Sequence, residues 1–242
     1  MIEISNVSFA YKNQPVLRDV NFTLNDGLNL CILGENGSGK STLLKCMLKI
    51  LNFKGKICID GINISKISHK NLAQIVAYIP QSHQLNFNYK VIDMVLMGRL
   101  AYKGIFEPFS KSDYMICEEV METLDIAKFK ERHFLGLSGG QRQLVYIARA
   151  LSAKPKFVFM DEPVTGLDFA NQIKLLKLIK NLSKNINFII ATHQPKHATY
   201  LDTEVLMLKN GVVFKNGHAN IINSENLSAL YEVDYDEFSN FI

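Results

Sequence analysis

No stretch of this chain stays apolar for the roughly 18 residues that a bilayer crossing needs. Its opening, Met1-Ile2-Glu3-Ile4, has neither the basic start nor the apolar core of a secretion signal. Both absences lead to the expectation of a soluble, cytoplasmic chain that reaches a membrane only through a partner. Cysteine is sparse: Cys31, Cys46, Cys58 and Cys117 stand far apart, with no C-x-x-C pair or Cys/His cluster. A zinc module is therefore not indicated, and reduced core thiols are expected. Basic and acidic residues nearly balance, 27 against 23, and no block of five like charges occurs. That argues against a nucleic-acid tail. No internal repeat is visible. What the chain does have is a 48% hydrophobic content over 242 residues. This is enough core for one large α/β domain or two small ones.

The segment Gly34-Glu35-Asn36-Gly37-Ser38-Gly39-Lys40-Ser41-Thr42 reads G-x-x-x-x-G-K-S, the phosphate-loop pattern. An apolar run, Leu28 to Leu33, precedes it. Leu43, Leu44, Met47, Leu48 and Leu51 follow on one helical face. Strand, loop and helix in that order are the context the pattern needs. The glycines let the backbone curl so that successive N–H groups and the helix's positive end cradle an anion. Lys40 is placed to reach the β- and γ-phosphates of a nucleotide such as ATP, and the Ser41 hydroxyl to ligate Mg²⁺. The loop by itself does not separate a kinase from a GTPase or a motor.

Strands are expected from Ile2 to Tyr11, at Val20–Leu24 and at Ile75–Ile79, with a turn at Lys12-Asn13-Gln14-Pro15. From 82 to 136 the pattern turns helical and irregular, with Ile116, Val120 and Leu124 at i, i+4 spacing. This reads as a helical insert in an α/β core. Buried strands follow at Phe157–Met160 and Phe188–Ala191, with a helix over Ile173–Leu182, a hairpin around Asn210-Gly211 and a small helix ending near Tyr231. The tail after Tyr231 is explained by no motif.

Phe157-Val158-Phe159-Met160-Asp161-Glu162 is an apolar strand ending in two carboxylates. Beside a phosphate loop, Asp161 suits a Mg²⁺ ligand and Glu162 a base that accepts a proton from attacking water. Leu137-Ser138-Gly139-Gly140-Gln141 lies upstream, with Ser138 23 residues before Asp161. Its small residues at a helix start form a second anion site, although a bare S-G-G turn also suits a plain helix N-cap.

This last segment resembles the signature motif of ABC-type ATPases, L-S-G-G-Q, and with it the resemblance extends over about residues 2–235. It implies an α/β phosphate-loop NTPase cassette with a mainly parallel core sheet, an N-terminal antiparallel β subdomain and a helical insert at about 82–136, all in one domain. It implies that Tyr11 stacks on adenine. Gln81 would reach Mg²⁺ and the attacking water, Asp168 of Gly166-Leu167-Asp168 would lie in the D-loop, and His193 would contact the γ-phosphate. Ser138, Gly139, Gly140 and Gln141 would cover ATP held by a second, head-to-tail copy. His69, His83, His133, His197 and His218 match nothing in the family. Thr165-Gly166 and Gln194-Pro195 depart from its frequent Ser-Ala and Asp.

Val95-Leu96-Met97-Gly98-Arg99, Asp168-Phe169-Ala170-Asn171-Gln172, His193-Gln194-Pro195 and Ser224–Leu230 are similar to an importer subgroup that energises uptake of ferric siderophores, haem, cobalamin or molybdate and tungstate. The resemblance implies a polytopic permease as partner and, indirectly, a periplasmic or extracellular substrate-binding protein. It also implies a peripheral position on the inner face of the cell membrane, and no nucleic acid. The insert, with Arg99 on its surface, is expected to dock the permease. A soluble ABC ATPase unconnected to transport is the alternative; such proteins usually carry two cassettes or long coiled-coil inserts, and neither is present.

Overall fold

The computed structural model describes residues 1–81 and 88–234. They form two compact units, one of residues 1–68 and 179–234, the other of the described residues between 69 and 178. In chain order the first unit begins β1 (Ile2–Tyr11), β2 (Gln14–Leu24), β3 (Leu30–Leu33), α1 (Lys40–Met47), β4 (Lys54–Ile59) and β5 (Ile62–Asn63). The second holds α2 (His69–Ile75), β6 (Val76–Ile79), α3 (Val91–Leu96), α4 (Lys111–Thr123), α5 (Gly139–Ser152) and β7 (Phe157–Asp161). The chain passes back to the first unit within α6 (Phe169–Leu182). It continues with β8 (Asn187–Thr192), α7 (Pro195–Leu201), β9 (Glu204–Lys209), β10 (Val212–His218) and α8 (Ser224–Tyr231).

In the first unit β2-β1-β4-β5 form an antiparallel sheet. Pairing Ile2 with Leu24, Ile4 with Phe22 and Val7 with Val20 sets the buried apolar residues of β1 and β2 on one face. The expected turn after Tyr11 shrinks to Lys12-Asn13, because β2 already resumes at Gln14. Pro15 is tolerated there since β2 is an edge strand. β3, with all four residues buried, lies between β8 and β9 and parallel to both. Such a strand reads as a continuous apolar run rather than an alternation. β10 returns antiparallel to β9 through Asn210-Gly211, both at positive φ, as a tight hairpin requires.

In the second unit β6 and β7 run parallel, Val76 opposite Phe157 and Ile79 opposite Met160. Their carboxyl ends therefore lie side by side. The stretch expected as a helical insert holds α3, α4 and short 3-10 turns, and no named strand among its described residues; residues 82–87, including His83, lie outside the described part.

Two expectations about this stretch are corrected. The buried stripe of α4 is Asp113, Cys117 and Met121, carried on by Leu124, one position round from the Ile116 and Val120 spacing. A carboxylate sits in that stripe because Arg99 meets it there. Arg99 is not on the surface: it is 8% exposed. Its Nε donates to Asp113 Oδ1 at 3.0 Å and its Nη1 to the Ser152 carbonyl at 2.9 Å. Its guanidinium lies 4.0 Å over the Tyr102 ring. Lys103 Nζ adds a second contact to Asp113, at 2.6 Å. Burial pushes the Asp113 carboxyl up, but Lys103, Ser110 and Arg99 outweigh it and hold the group well below the usual carboxylate range. Gly98 belongs to the same knot, since a Cβ there would stand 2.0 Å from the Arg149 carbonyl oxygen.

Candidate nucleotide-binding site

In the first unit the phosphate loop leaves the end of β3 and enters α1. Gly34 is glycine for steric reasons: at φ 156° its Cβ would meet the Leu208 carbonyl oxygen at 2.3 Å and Ser38 Oγ at 2.6 Å. Gly37 and Gly39 are also at positive φ, while Glu35, Asn36 and Gly37 are exposed. Lys40 is 5% exposed, and its Nζ donates to the carbonyls of Gly34 at 2.8 Å and Glu35 at 2.9 Å. The ammonium thus lies inside the curl of the loop. Ser38 Oγ is buried without a hydrogen-bond partner. A buried hydroxyl left in that condition is costly unless a ligand uses it. An anionic oxygen is the ligand that would satisfy both groups. Ser41 and Thr42 follow in the first turn of α1, Thr42 buried.

Two further predicted residues lie in this unit. Tyr11 ends β1; the residue is 45% exposed and its ring lies edge-on to Phe9, centroids 4.7 Å apart. The sheet that ends in Tyr11 also packs on the loop, because Leu17 Cδ2 lies 2.8 Å from where a Gly39 Cβ would be. His193 is exposed just beyond β8. Leu33 of β3 is paired with Thr192 of β8, so the phosphate loop and His193 leave neighbouring parallel strands at the same edge. His197, given no role by sequence, underlies this turn. It is buried, and its Nδ1 lies 3.1 Å from Thr192 Oγ1, which accepts from the Gln194 N–H at 3.2 Å. Burial, and then the nearby His193, push the imidazole down to about 4, so it is neutral. The neutral ring and the Thr192 hydroxyl share this hydrogen bond. The sequence signal was a second histidine four residues after the first.

In the second unit Gln81 is exposed just past β6, and Asp161 and Glu162 stand at the adjoining end of β7, both buried. The Tyr78 hydroxyl lies 3.5 Å from Asp161 Oδ2. Burial first, then the Asp161 charge, drive that phenol up, away from ionisation. Glu162 is in left-handed backbone at φ 48°, a strain of the kind retained at functional positions. The Thr165 N–H bonds back to its carbonyl at 3.1 Å.

Ser138 caps α5 in a reciprocal box. Its Oγ accepts from the Gln141 N–H at 3.3 Å, and Gln141 Oε1 accepts from the Ser138 N–H at 3.0 Å. The capping and anion-binding readings of this segment are therefore compatible: the box fixes the helix start and leaves Gly139 and Gly140 at its positive end. A cleft of about 470 Å³ opens here, lined among others by Ser138, Gly140, Gln141, Leu167 and Asn171. Asp168 is held by Asn171, whose backbone N–H donates at 2.9 Å and side-chain amide at 2.7 Å. The signature and the predicted D-loop thus share one wall.

The Ser41 hydroxyl in the first unit and the Asp161 carboxylate in the second are each hard oxygen donors of the kind Mg²⁺ takes. Among the described residues no group of three or more His, Cys, Asp or Glu could hold a metal alone. The ion fits as one carried in by nucleotide phosphates and met by few protein ligands.

The ABC transporter family profile matches residues 17–165, spanning the phosphate loop, the capped signature helix and the β7 carboxylates. The chain belongs to the ABC transporter ATP-binding family. This cassette is 37% identical over 237 residues to the molybdate import ATP-binding protein of Haemophilus influenzae, covering 96% of the chain and 88% of the relative. It superposes with a TM-score of 0.85, at 36% identity, on a metal-chelate type ABC transporter in an inward-facing conformation, over 96% of this chain and 88% of that one. A dimeric bacterial ABC transporter cassette matches with a TM-score of 0.78 at 26% identity, over 90% and 99%. As a family member the chain is an ATP-binding ATPase coupled to transport. Cassettes of this kind form dimers and work with membrane permeases. No helix among the described residues is long and apolar enough to cross a membrane.

Proposed function

We propose that this cassette energises an importer for a molybdate-like oxyanion or a metal chelate, acting as one domain on the inner face of the membrane. The names of the molybdate relative and the metal-chelate neighbour support the cargo class. One observation supports the mechanism: a single chain bears two separately built loop-to-helix starts suited to an anion, the phosphate loop and the capped start of α5. They are used together if two chains pair head to tail, the loop of one holding ATP under Ser138, Gly139 and Gly140 of the other. Lys40 and the loop N–H groups bind the β- and γ-phosphates, and Tyr11 offers its ring to the base. Ser41, Asp161 and Gln81 would hold Mg²⁺, which when bound would supply charge neutralisation for phosphoryl transfer. Glu162 accepts the proton of the attacking water, and Gln81 and His193 orient that water and the γ-phosphate. Asp168 keeps α6 capped where the two chains would meet.

The permease docks on the stretch between α3 and α4. Arg99 is unavailable there, but Ile105 and Phe106 are 94% and 97% exposed, an apolar pair that an isolated chain leaves uncovered. A substrate-binding protein acts on the far side of that permease.

The experiment is Glu162→Gln. The amide is nearly isosteric but takes no proton near neutral pH. Hydrolysis should fall on the order of 10²–10⁴-fold while ATP binding persists. Hydrolysis at the wild-type rate would remove Glu162 from the role of base. For cargo, reconstitution with the neighbouring permease and a panel of oxyanions and chelates should show uptake of one of these classes; transport confined to sugars or amino acids would reject the proposal.

A further inference from the structure

The peptide that carries His193 is held from a second direction. The Tyr231 hydroxyl donates to the His193 carbonyl oxygen at 2.9 Å, across 38 residues of sequence. Tyr231 is the last residue of α8, and α8 is well anchored. Leu227 and Leu230 are buried. Asn226 accepts from Lys215 Nζ at 2.8 Å and donates to the Ile221 carbonyl at 2.7 Å. Lys209, at the end of β9, donates to the Ala229 carbonyl at 2.5 Å and pairs with Glu232 at 2.9 Å. The phenol is therefore presented from a fixed element, at the point where the chain has just left β8. From the other side Thr192, Gln194 and His197 hold the same turn. His193 itself is exposed.

We infer that Tyr231 is a positioning residue for His193: its hydroxyl fixes the peptide from which the imidazole is aimed, and so makes α8 part of the nucleotide site. The inference rests on the reading of His193 as the γ-phosphate contact. A hydrogen bond that served only to attach α8 would alter stability. One that aims the imidazole alters turnover, and does so only while the imidazole is there.

The test uses the full chain with Mg-ATP and three variants: Tyr231→Phe, His193→Ala and the double variant. Tyr231→Phe keeps the ring and removes the one oxygen. It should lower kcat about three- to tenfold, the size of one neutral hydrogen bond, with KM for ATP within about twofold of wild type. His193→Ala should lower the single-turnover rate further, and adding Tyr231→Phe to it should change nothing more. An unchanged kcat in Tyr231→Phe overturns the inference. So does an equal loss on adding Tyr231→Phe to His193→Ala, which would mean a merely structural bond. Full activity in His193→Ala would instead refute the reading of His193 itself, and the inference with it. Melting of Tyr231→Phe before the assay temperature would also count against it; Lys209→Met, which loosens the same helix end and keeps the phenol, separates loss of α8 from loss of the hydroxyl.

Discussion

Lys40 shows what one side chain does at the phosphate loop. Its ammonium is buried and engages two carbonyls of the loop that precedes it. Charge-assisted hydrogen bonds to phosphate are worth about 1.5–3 kcal/mol each. Lys40→Ala should therefore weaken ATP binding by at least tenfold in calorimetry; an unchanged affinity would contradict the loop's assignment. His197 gives a pH dependence. Its imidazole titrates at about 4 in the fold, against 6.5 ordinarily, so between those values the unfolded chain binds the extra proton. Stability should be full above pH 6.5 and fall as pH drops from 6.5 towards 4, by up to about 1.4 kcal/mol per unit. His197→Asn should flatten that segment of a plot of denaturation midpoint against pH. An identical slope in wild type and variant would show that His197 does not set it. The phosphate loop was legible in sequence because its residue types are demanded locally. His197 and Tyr231 were not, since their partners, Thr192 and the His193 carbonyl, are defined only by tertiary placement.

Among the elements, α4 and the turn before it show where periodicity misleads. Asp113 occupies a core position of α4 and Arg99 reaches it from 14 residues upstream. A charge in a sequence reads as surface, so the apolar spacing pointed to the neighbouring stripe, and Arg99 read as a docking residue. Removing one partner of a buried pair typically costs about 3–5 kcal/mol. Arg99→Ala should lower the unfolding free energy by that order, read by urea denaturation; a loss below about 1 kcal/mol would mean the pair is solvated. Val95, Leu96, Gly98 and Arg99, which carried much of the likeness to a cargo subgroup, are packing residues here. The motif therefore speaks of how α3 seats against α5 before it speaks of cargo. Strands such as β3 and β7 were legible because burial on both faces demands short unbroken apolar runs.

At the scale of the whole molecule, the order of motifs along the chain gave the fold class, since that order implies a known succession of strand, loop and helix. Register, the reciprocal cap at Ser138 and the left-handed Glu162 needed coordinates. If two chains share their nucleotides, Glu162→Gln should shift from monomer to dimer on adding Mg-ATP, seen by light scattering after size exclusion, while wild type hydrolyses and separates. A variant that binds ATP yet stays monomeric even with its permease would count against head-to-tail pairing. All four cysteines are buried, and burial drives Cys31 and Cys46 up to about 12 and Cys117 to about 11. The wild-type chain is thus already a silent background for thiol labelling. A maleimide dye should leave the folded protein almost unmarked and react fully after denaturation. One cysteine introduced at Phe106 would be the site it finds, so a fluorophore could report on assembly with the permease without any native residue being removed first.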